Sequence, residues 1–302
     1  MSTLYIVYNL KSGFADSDVD ISQQIAVLSR DHIVHRWTIA EILDAQQVAK
    51  RIIEDAPDYL IAIGGDGTVN ATASVAATHQ LRLLVVPNGT FNHFAKHLLL
   101  PSDVPTALHL LKRGRTILVD TGLVNDQLFV NFISMGAYAE LIVNRIRHQK
   151  AGSSKWVSFV KAVFNTVSKK NMLTLRFSVN DTVIEKQTSL LFVGNGIFEF
   201  GSLDILSNRI LDQTGKLQLA ATETKRPADL IWFMFKSMFT DSLATSDLKN
   251  VAITDCAISL PRRSTTKVIV DGEHIKMTFP LRISVARRSL RLVVPIDHSL
   301  PT

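Results

Sequence analysis

Tyr59-Leu-Ile-Ala-Ile-Gly-Gly-Asp-Gly-Thr68 opens with a short apolar run, breaks into three glycines around one aspartate, and continues into the alanine-rich stretch 69–77. That order predicts a buried strand, a tight turn and a helix over 68–78. Glycines without a Cβ let a backbone approach a phosphate closely, and a helix start presents N–H groups to it. Asp66 stands out there, because a carboxylate among such amides repels an anion unless it holds Mg²⁺ or a proton. On the residues alone, a tight turn with Asp66 as the helix N-cap explains the stretch as well.

Outward from it, the first 120 residues alternate strand-like and helix-like patterns. Strands are expected at 4–9, 33–39, 59–65 and 82–87, with helices near 20–30, at 41–55 and at 68–78. The βαβαβαβ rhythm implies a parallel sheet, whose ligands sit beyond the carboxyl ends of the strands. Polar or glycine loops follow each strand there: Asn9-Leu-Lys-Ser-Gly13, Thr38, Gly64 to Thr68, and Pro87-Asn-Gly-Thr90. Gly89 is expected to permit an unusual backbone angle, and Thr90 and Asn92 to cap the helix that begins His93-Phe-Ala-Lys.

Beyond Asp120 the pattern becomes short and alternating: 127–135, 174–180, 189–196, 216–222, 251–260 and 267–275. This reads as a second, mainly antiparallel β-sandwich domain over 121–289, with 290–302 able to complete the first domain. In the last of these stretches Asp271-Gly272 is a hairpin turn that projects Glu273 at a domain edge, or else a plain surface hairpin.

The 302 residues are 46% hydrophobic and 20% charged, which excludes disorder, collagen and coiled coil. A net charge of +6 favours anionic partners. Cys256 is the single cysteine, so no intrachain disulfide forms and a buried, inert thiol is expected. The start of the chain reads as a first strand rather than a signal peptide, and no apolar run approaches the ~20 residues of a spanning helix. A cytoplasmic protein, peripheral at the inner membrane face, is the resulting expectation.

Several motifs in order give a specific resemblance: Asn9-Leu10-Lys11-Ser12-Gly13, Gly64 to Asn70, Pro87 to Ala95, Asp120, Val193 to Gly196, and Asp271-Gly272-Glu273. Together they resemble the diacylglycerol kinase catalytic-domain family, the bacterial lipid kinases related to sphingosine kinases. The resemblance implies an NAD-kinase/diacylglycerol-kinase-like α/β domain at 1–120 that binds nucleotide, and a lipid-substrate domain at 121–289. It implies ATP and Mg²⁺ as cofactors and a lipid, most simply diacylglycerol, as acceptor. Asn9, Lys11, Ser12, Gly13, Thr38, Gly64, Gly65, Asp66, Gly67, Thr68, Val69, Asn70, Gly89 and Thr90 would contact the nucleotide. Glu273 would be the general base, and Asp66 and Asp120 would join a Mg²⁺-linked acidic network, with Asn92, His93 and Asp271 as further members.

The chain departs from the family at three places. Leu10 replaces a proline. His93 stands where many members carry Asp, which removes a carboxylate and either retunes the site or leaves His93 an exposed first-turn residue of its helix. The family's metal loop is replaced by Ser207-Asn-Arg-Ile-Leu-Asp-Gln-Thr-Gly215, which leaves Asp212 alone and makes a structural Mg²⁺ doubtful there.

Residues 141–180 hold eight Lys or Arg and no Asp or Glu, so the rest of the chain sums to −2. Within them Trp156, Phe159, Val160, Val163, Phe164 and Val167 recur at helical spacing beside Lys155 and Lys161. Such a basic amphipathic helix suits an anionic membrane surface, or packs its apolar stripe on the β domain. Asp229 to Thr240 is apolar nearly all round and lines an acyl channel or is core. Aromatic–basic stacking motifs for nucleic acid are not found. Two other readings stay open: a catalytically inactive nucleotide- or lipid-binding regulator, and a sphingoid-base or NAD-kinase-like enzyme.

Overall fold

The structure is a computed structural model that describes residues 1–8, 15–89, 92–136, 173–179, 182–188, 191–195, 197–199, 207–209, 215–222, 248–260 and 264–298. Its chain divides into two compact units, Met1–Thr121 with Ala286–Thr302, and Gly122–Val285.

The first unit runs β1 (Thr3–Tyr8), α1 (Ala15–Asp31), β2 (Ile33–Trp37), α2 (Ile39–Leu43), α3 (Ala45–Asp55), β3 (Tyr59–Gly64), α4 (Asp66–Thr78) and β4 (Arg82–Pro87). Then follow α5 (His93–His97), α6 (Val104–Arg113) and most of β5 (Gly114–Val124), and the unit is closed by the second half of β18 (Leu281–Pro295). Its strands lie in the order β2-β1-β3-β4-β18, every neighbouring pair parallel. β1, β3 and β4 are buried along nearly their whole length, as expected of a parallel sheet covered on both faces. Leu4, Ile6, Ile61, Ile63, Leu84 and Val86 share one core with Ile21 and Ile25 of α1 and Ala107 and Leu108 of α6.

One helix expected at 41–55 is two. Asp44 stops α2 with an extended backbone and caps α3, its carboxylate accepting the N–H of Gln47 at 3.1 Å. The expected strand 33–39 ends at Trp37, because Thr38 is taken as the N-cap of α2.

The second unit contains β6 (Gln127–Phe129), β7 (Phe132–Met135), β8 (Leu173–Val179), β9 (Thr182–Thr188), β10 (Leu191–Gly194), β11 (Ile197–Glu199) and β12 (Ser207–Arg209). It continues with β13 (Leu217–Thr222), β14 (Leu248–Ile253), β15 (Asp255–Ser259), β16 (Thr265–Val270) and β17 (Glu273–Thr278). One antiparallel sheet has the order β14-β13-β10-β7-β16-β17. Opposite it, β15 pairs antiparallel with β8 and with residues 281–284 of β18, and β8 pairs with β9. Alternate residues of both layers meet in one core: Ile133, Val193, Leu219 and Val268 from the first, Leu175, Ile258 and Ile283 from the second. Cys256 lies in that core, its thiol pushed up to about 12 by burial and then by the Asp255 carboxylate beside it, which makes it inert.

Candidate functional site

Parallel register aligns the carboxyl ends of four strands. Trp37 ends β2 opposite Val7, Tyr8 ends β1 opposite Ile63, and Gly64 pairs with Pro87 at the ends of β3 and β4. The loops after β3 and β4 therefore leave the sheet side by side, and the N–H of Asn88 donates to the carbonyl of Gly64 at 2.9 Å.

The glycines of Gly64-Gly-Asp-Gly67 have separate reasons. A Cβ on Gly64 would lie 2.6 Å from the hydroxyl of the buried Thr68, and one on Gly65 would meet the Gly89 Cα at 3.3 Å. A Cβ on Gly67 would meet nothing within 4 Å, so the fold makes no use of its missing side chain. Gly89 is needed for closeness, not for an unusual angle: its φ is not in the left-handed region, but its Cβ would stand 2.4 Å from the Gly65 Cα. That corrects the expectation for Gly89.

Gly65, not Asp66, is the N-cap of α4, and no side chain caps it. Asp66 is the first helical residue, half-buried, and its Oδ1 accepts the N–H of Phe94 at 3.4 Å. No side chain of the cap residue thus takes up a first-turn N–H of α4. Thr68 N and Val69 N close the first turn on the Gly65 carbonyl at 3.0 and 3.1 Å. Asn70 lies one turn on, and its Oδ1 is buried with no hydrogen-bond partner among the described residues.

Asn92 precedes α5 in the left-handed region, φ 51°, but its side chain does not cap the helix. Instead its Oδ1 accepts the Gly89 N–H and its Nδ2 donates to the Gly89 carbonyl, each at 2.9 Å, so Asn92 braces the loop. His93 begins α5, and its side chain, like Asn9, Lys11, Ser12, Gly13, Thr90, Asp212 and the segments 155–170 and 229–240, lies outside the described residues. Thr38 forms a capping box with Glu41, whose carboxyl is held below its usual range by the Thr38 N–H at 2.7 Å and hydroxyl at 2.8 Å.

Asp120 is buried, and its Oδ1 accepts the N–H of Arg288 at 2.7 Å. Arg288 has φ 49°, and next to it the hydroxyls of Ser289 and Thr121 are 2.8 Å apart. Asp120 thus holds a backbone distortion of β18. Arg288 precedes by three residues Arg291, which is opposite Arg82 at the start of β4. The register therefore does not set Asp120 beside Asp66, which follows the far end of the ladder.

In the second unit, one end of the six-stranded sheet gathers motifs that are distant in sequence. Asp271 and Gly272, at φ 45° and 91°, form the two-residue turn between β16 and β17, and place the exposed Glu273 opposite Val270. The Asp271 carboxylate is 9% exposed and accepts three backbone N–H groups: Val130 at 2.8 Å, Asn131 at 2.9 Å and Phe132 at 2.8 Å. Its own N–H donates to the Phe132 carbonyl at 2.9 Å, and the N–H of Asn195 donates to the Asn131 carbonyl at 3.1 Å. Asn195 and Asp271 are thus joined through Asn131. Asn131 has one signal in the sequence, an amide inside the apolar run Phe129-Val-Asn-Phe-Ile133. Among the described residues no three His, Cys, Asp or Glu gather as a metal site.

A parallel α/β unit with a glycine-rich rim, carried on the same chain as an antiparallel sandwich, defines a diacylglycerol-kinase-like architecture. The chain matches the family described as Diacylglycerol kinase catalytic domain over residues 3–124. A diacylglycerol kinase of Staphylococcus epidermidis is 30% identical over 240 residues, 79% of this chain and 75% of the relative. One of Staphylococcus aureus is 25% identical over 272 residues, 89% of this chain and 85% of the relative. An uncharacterized protein of Synechocystis is 24% identical over 96% of this chain, which spans 64% of that relative's length. The crystal structure of a diacylglycerol kinase from Bacillus anthracis str. Sterne has the same fold, with TM-score 0.68 and 21% identity over 98% of this chain and 97% of that one. The chain belongs to the diacylglycerol kinase catalytic-domain family.

Proposed function

We propose that the protein is an ATP- and Mg²⁺-dependent kinase that transfers the γ-phosphate of ATP to a lipid hydroxyl, with diacylglycerol or a related lipid as acceptor. The observation that carries this is Gly67: its missing side chain serves no contact of the fold, at a helix start that no side chain caps. A phosphate chain resting on that turn uses both features. The residues fit Mg²⁺ as a companion of the nucleotide, since Asp66 supplies one carboxylate and Mg²⁺ takes its other ligands readily from phosphate and water. When bound, the ion would neutralise charge developing on the phosphates.

In this reading Gly64 to Asn70, Gly89 and Thr38 with Asn9, Lys11, Ser12, Gly13 and Thr90 border the nucleotide, and Asn92 keeps the second loop in shape. Glu273 takes the proton of the attacking hydroxyl as general base, and Asp271 holds its turn. Of the further members that the family resemblance assigns, His93 follows Asn92 in the second loop, whereas Asp120 is set apart from Asp66 by the register and holds the backbone of β18 instead. The concentration of basic residues in 141–180 supports an anionic membrane surface as the place where the lipid is met. No helix among the described residues is long and apolar enough to cross a membrane.

The test is transfer of labelled γ-phosphate from ATP·Mg²⁺ into a total lipid extract, with Glu273→Gln as control. A labelled lipid that disappears in the control is the expected result. Labelling of NAD or no acceptor at all, with ATP still bound, overturns the lipid-kinase reading.

A further inference from the structure

Resting on that reading, we propose that Glu41 determines nucleotide specificity: its carboxylate takes hydrogen bonds from the ribose hydroxyls of ATP and so selects a ribonucleotide. What points to Glu41 is Thr38, whose polar groups are all engaged at the start of α2. Its N–H and hydroxyl donate to Glu41 Oε2 at 2.7 and 2.8 Å, its hydroxyl oxygen accepts the Glu41 N–H at 3.3 Å, and its carbonyl accepts the Ile42 N–H at 3.1 Å. Thr38 has no donor left for a ligand, and the group offered beyond β2 is the carboxylate that it holds. Glu41 Oε1 has no hydrogen-bond partner among the described residues, and the bonds to Oε2 lie at the exposed surface, open to a ligand.

The place of Glu41 says which donors meet it. Thr38 and Glu41 follow the carboxyl end of β2, Asp66 and Gly67 follow that of β3, and β1 lies between the two strands. β2 and β3 are therefore about 10 Å apart, two strand spacings. Above them α2 packs against α4, and both helices touch β1, so their first turns are neighbours on one face of the sheet. A nucleotide with its phosphates on the Gly67 turn has its sugar within one helix of them. A carboxylate repels phosphate and accepts from O–H, which suits the sugar hydroxyls. The amino group of the base is farther from the phosphates than they are. Acidic side chains beyond a strand end take ribose hydroxyls in this way in dinucleotide-binding sheets. The Thr38 donors hold the Glu41 carboxyl below its usual range, so it is ionised at neutral pH.

Two matched probes test this, ATP and 2′,3′-dideoxy-ATP, each titrated calorimetrically with Mg²⁺ into the full chain. We expect ATP to bind about tenfold more tightly, as hydrogen bonds to a charged group do. Glu41→Ala should bind both alike, at the level of the dideoxy probe on the native chain. Glu41→Gln, which keeps the capping box but not the charge, should show a smaller preference. Equal binding by the native chain, or a full preference in either variant, overturns the assignment. If the alanine variant does not fold, the native chain and the glutamine variant decide. Binding of neither probe overturns the nucleotide-site reading and this inference with it. Binding needs no phosphoryl transfer, so a ribose preference without kinase activity would overturn the kinase reading alone. Transfer from both probes with equal affinity would overturn only this inference.

Discussion

Gly65 and Gly89 meet backbone to backbone: a Cβ on Gly89 would stand 2.4 Å from the Gly65 Cα and 2.8 Å from the Oδ1 of Asn92. This contact joins the loops after β3 and β4 into one surface, and it explains why two turns separated by over twenty residues both need glycine. Gly67, in the same turn, has no such neighbour.

The contrast separates fold from binding. Gly89→Ala should lower stability by roughly 1–3 kcal/mol through overpacking. Gly67→Ala should leave the melting temperature nearly unchanged and weaken ATP binding about tenfold or more, because the added methyl occupies the approach of the phosphate. Thermal melts with ATP calorimetry check both, and a Gly67→Ala protein that binds ATP normally would remove this turn from the nucleotide site.

Asp66 makes one long hydrogen bond, to Phe94 N at 3.4 Å, so Asp66→Ala should fold normally. On the proposed reading, in which Asp66 organises Mg²⁺ and phosphate, its loss should lower the phosphoryl-transfer rate by about 100-fold or more. Single-turnover transfer measures it, and full activity would exclude Asp66 from the chemistry.

Asp271 accepts the N–H groups of Val130, Asn131 and Phe132. Asp271→Ala leaves these donors unpaired and should cost about 3 kcal/mol or more. Asp271→Asn retains an accepting oxygen but turns an amide donor on a backbone N–H. It should remain folded, with kcat reduced about tenfold and ATP affinity unchanged, since the damage lies at the Glu273 turn. Equal losses in ATP affinity would show that Asp271 acts elsewhere.

Thr38 and Glu41 close a capping box at α2. Thr38→Ala should cost about 0.5–2 kcal/mol. The Glu41 carboxyl is held below its usual range when folded, so its contribution is present above the ordinary glutamate value and fades as pH falls through the lowered one. Urea melts across acidic pH should show the native and Thr38→Ala chains converging. Constant separation down to full protonation of Glu41 would contradict the sign.

Local pattern alone was enough for much of this protein. Residues 59–68 declare a strand, a glycine turn and a helix because each depends on neighbours in the chain, and the Asp271-Gly272 turn is legible for the same reason. Where the structure differs, distant atoms decided. Gly89 is required by Gly65, Asn92 braces Gly89 instead of capping α5, and Asp44 splits a helix whose apolar periodicity runs on past it. Asn131 is the clearest case. From the sequence it is one amide in an apolar strand, and only the pairing of β7 with β10 and β16 brings it between Asn195 and Asp271. Chain periodicity specifies which elements form and which face is buried. Which polar groups become partners across sixty or more residues is set by register, which no local pattern contains.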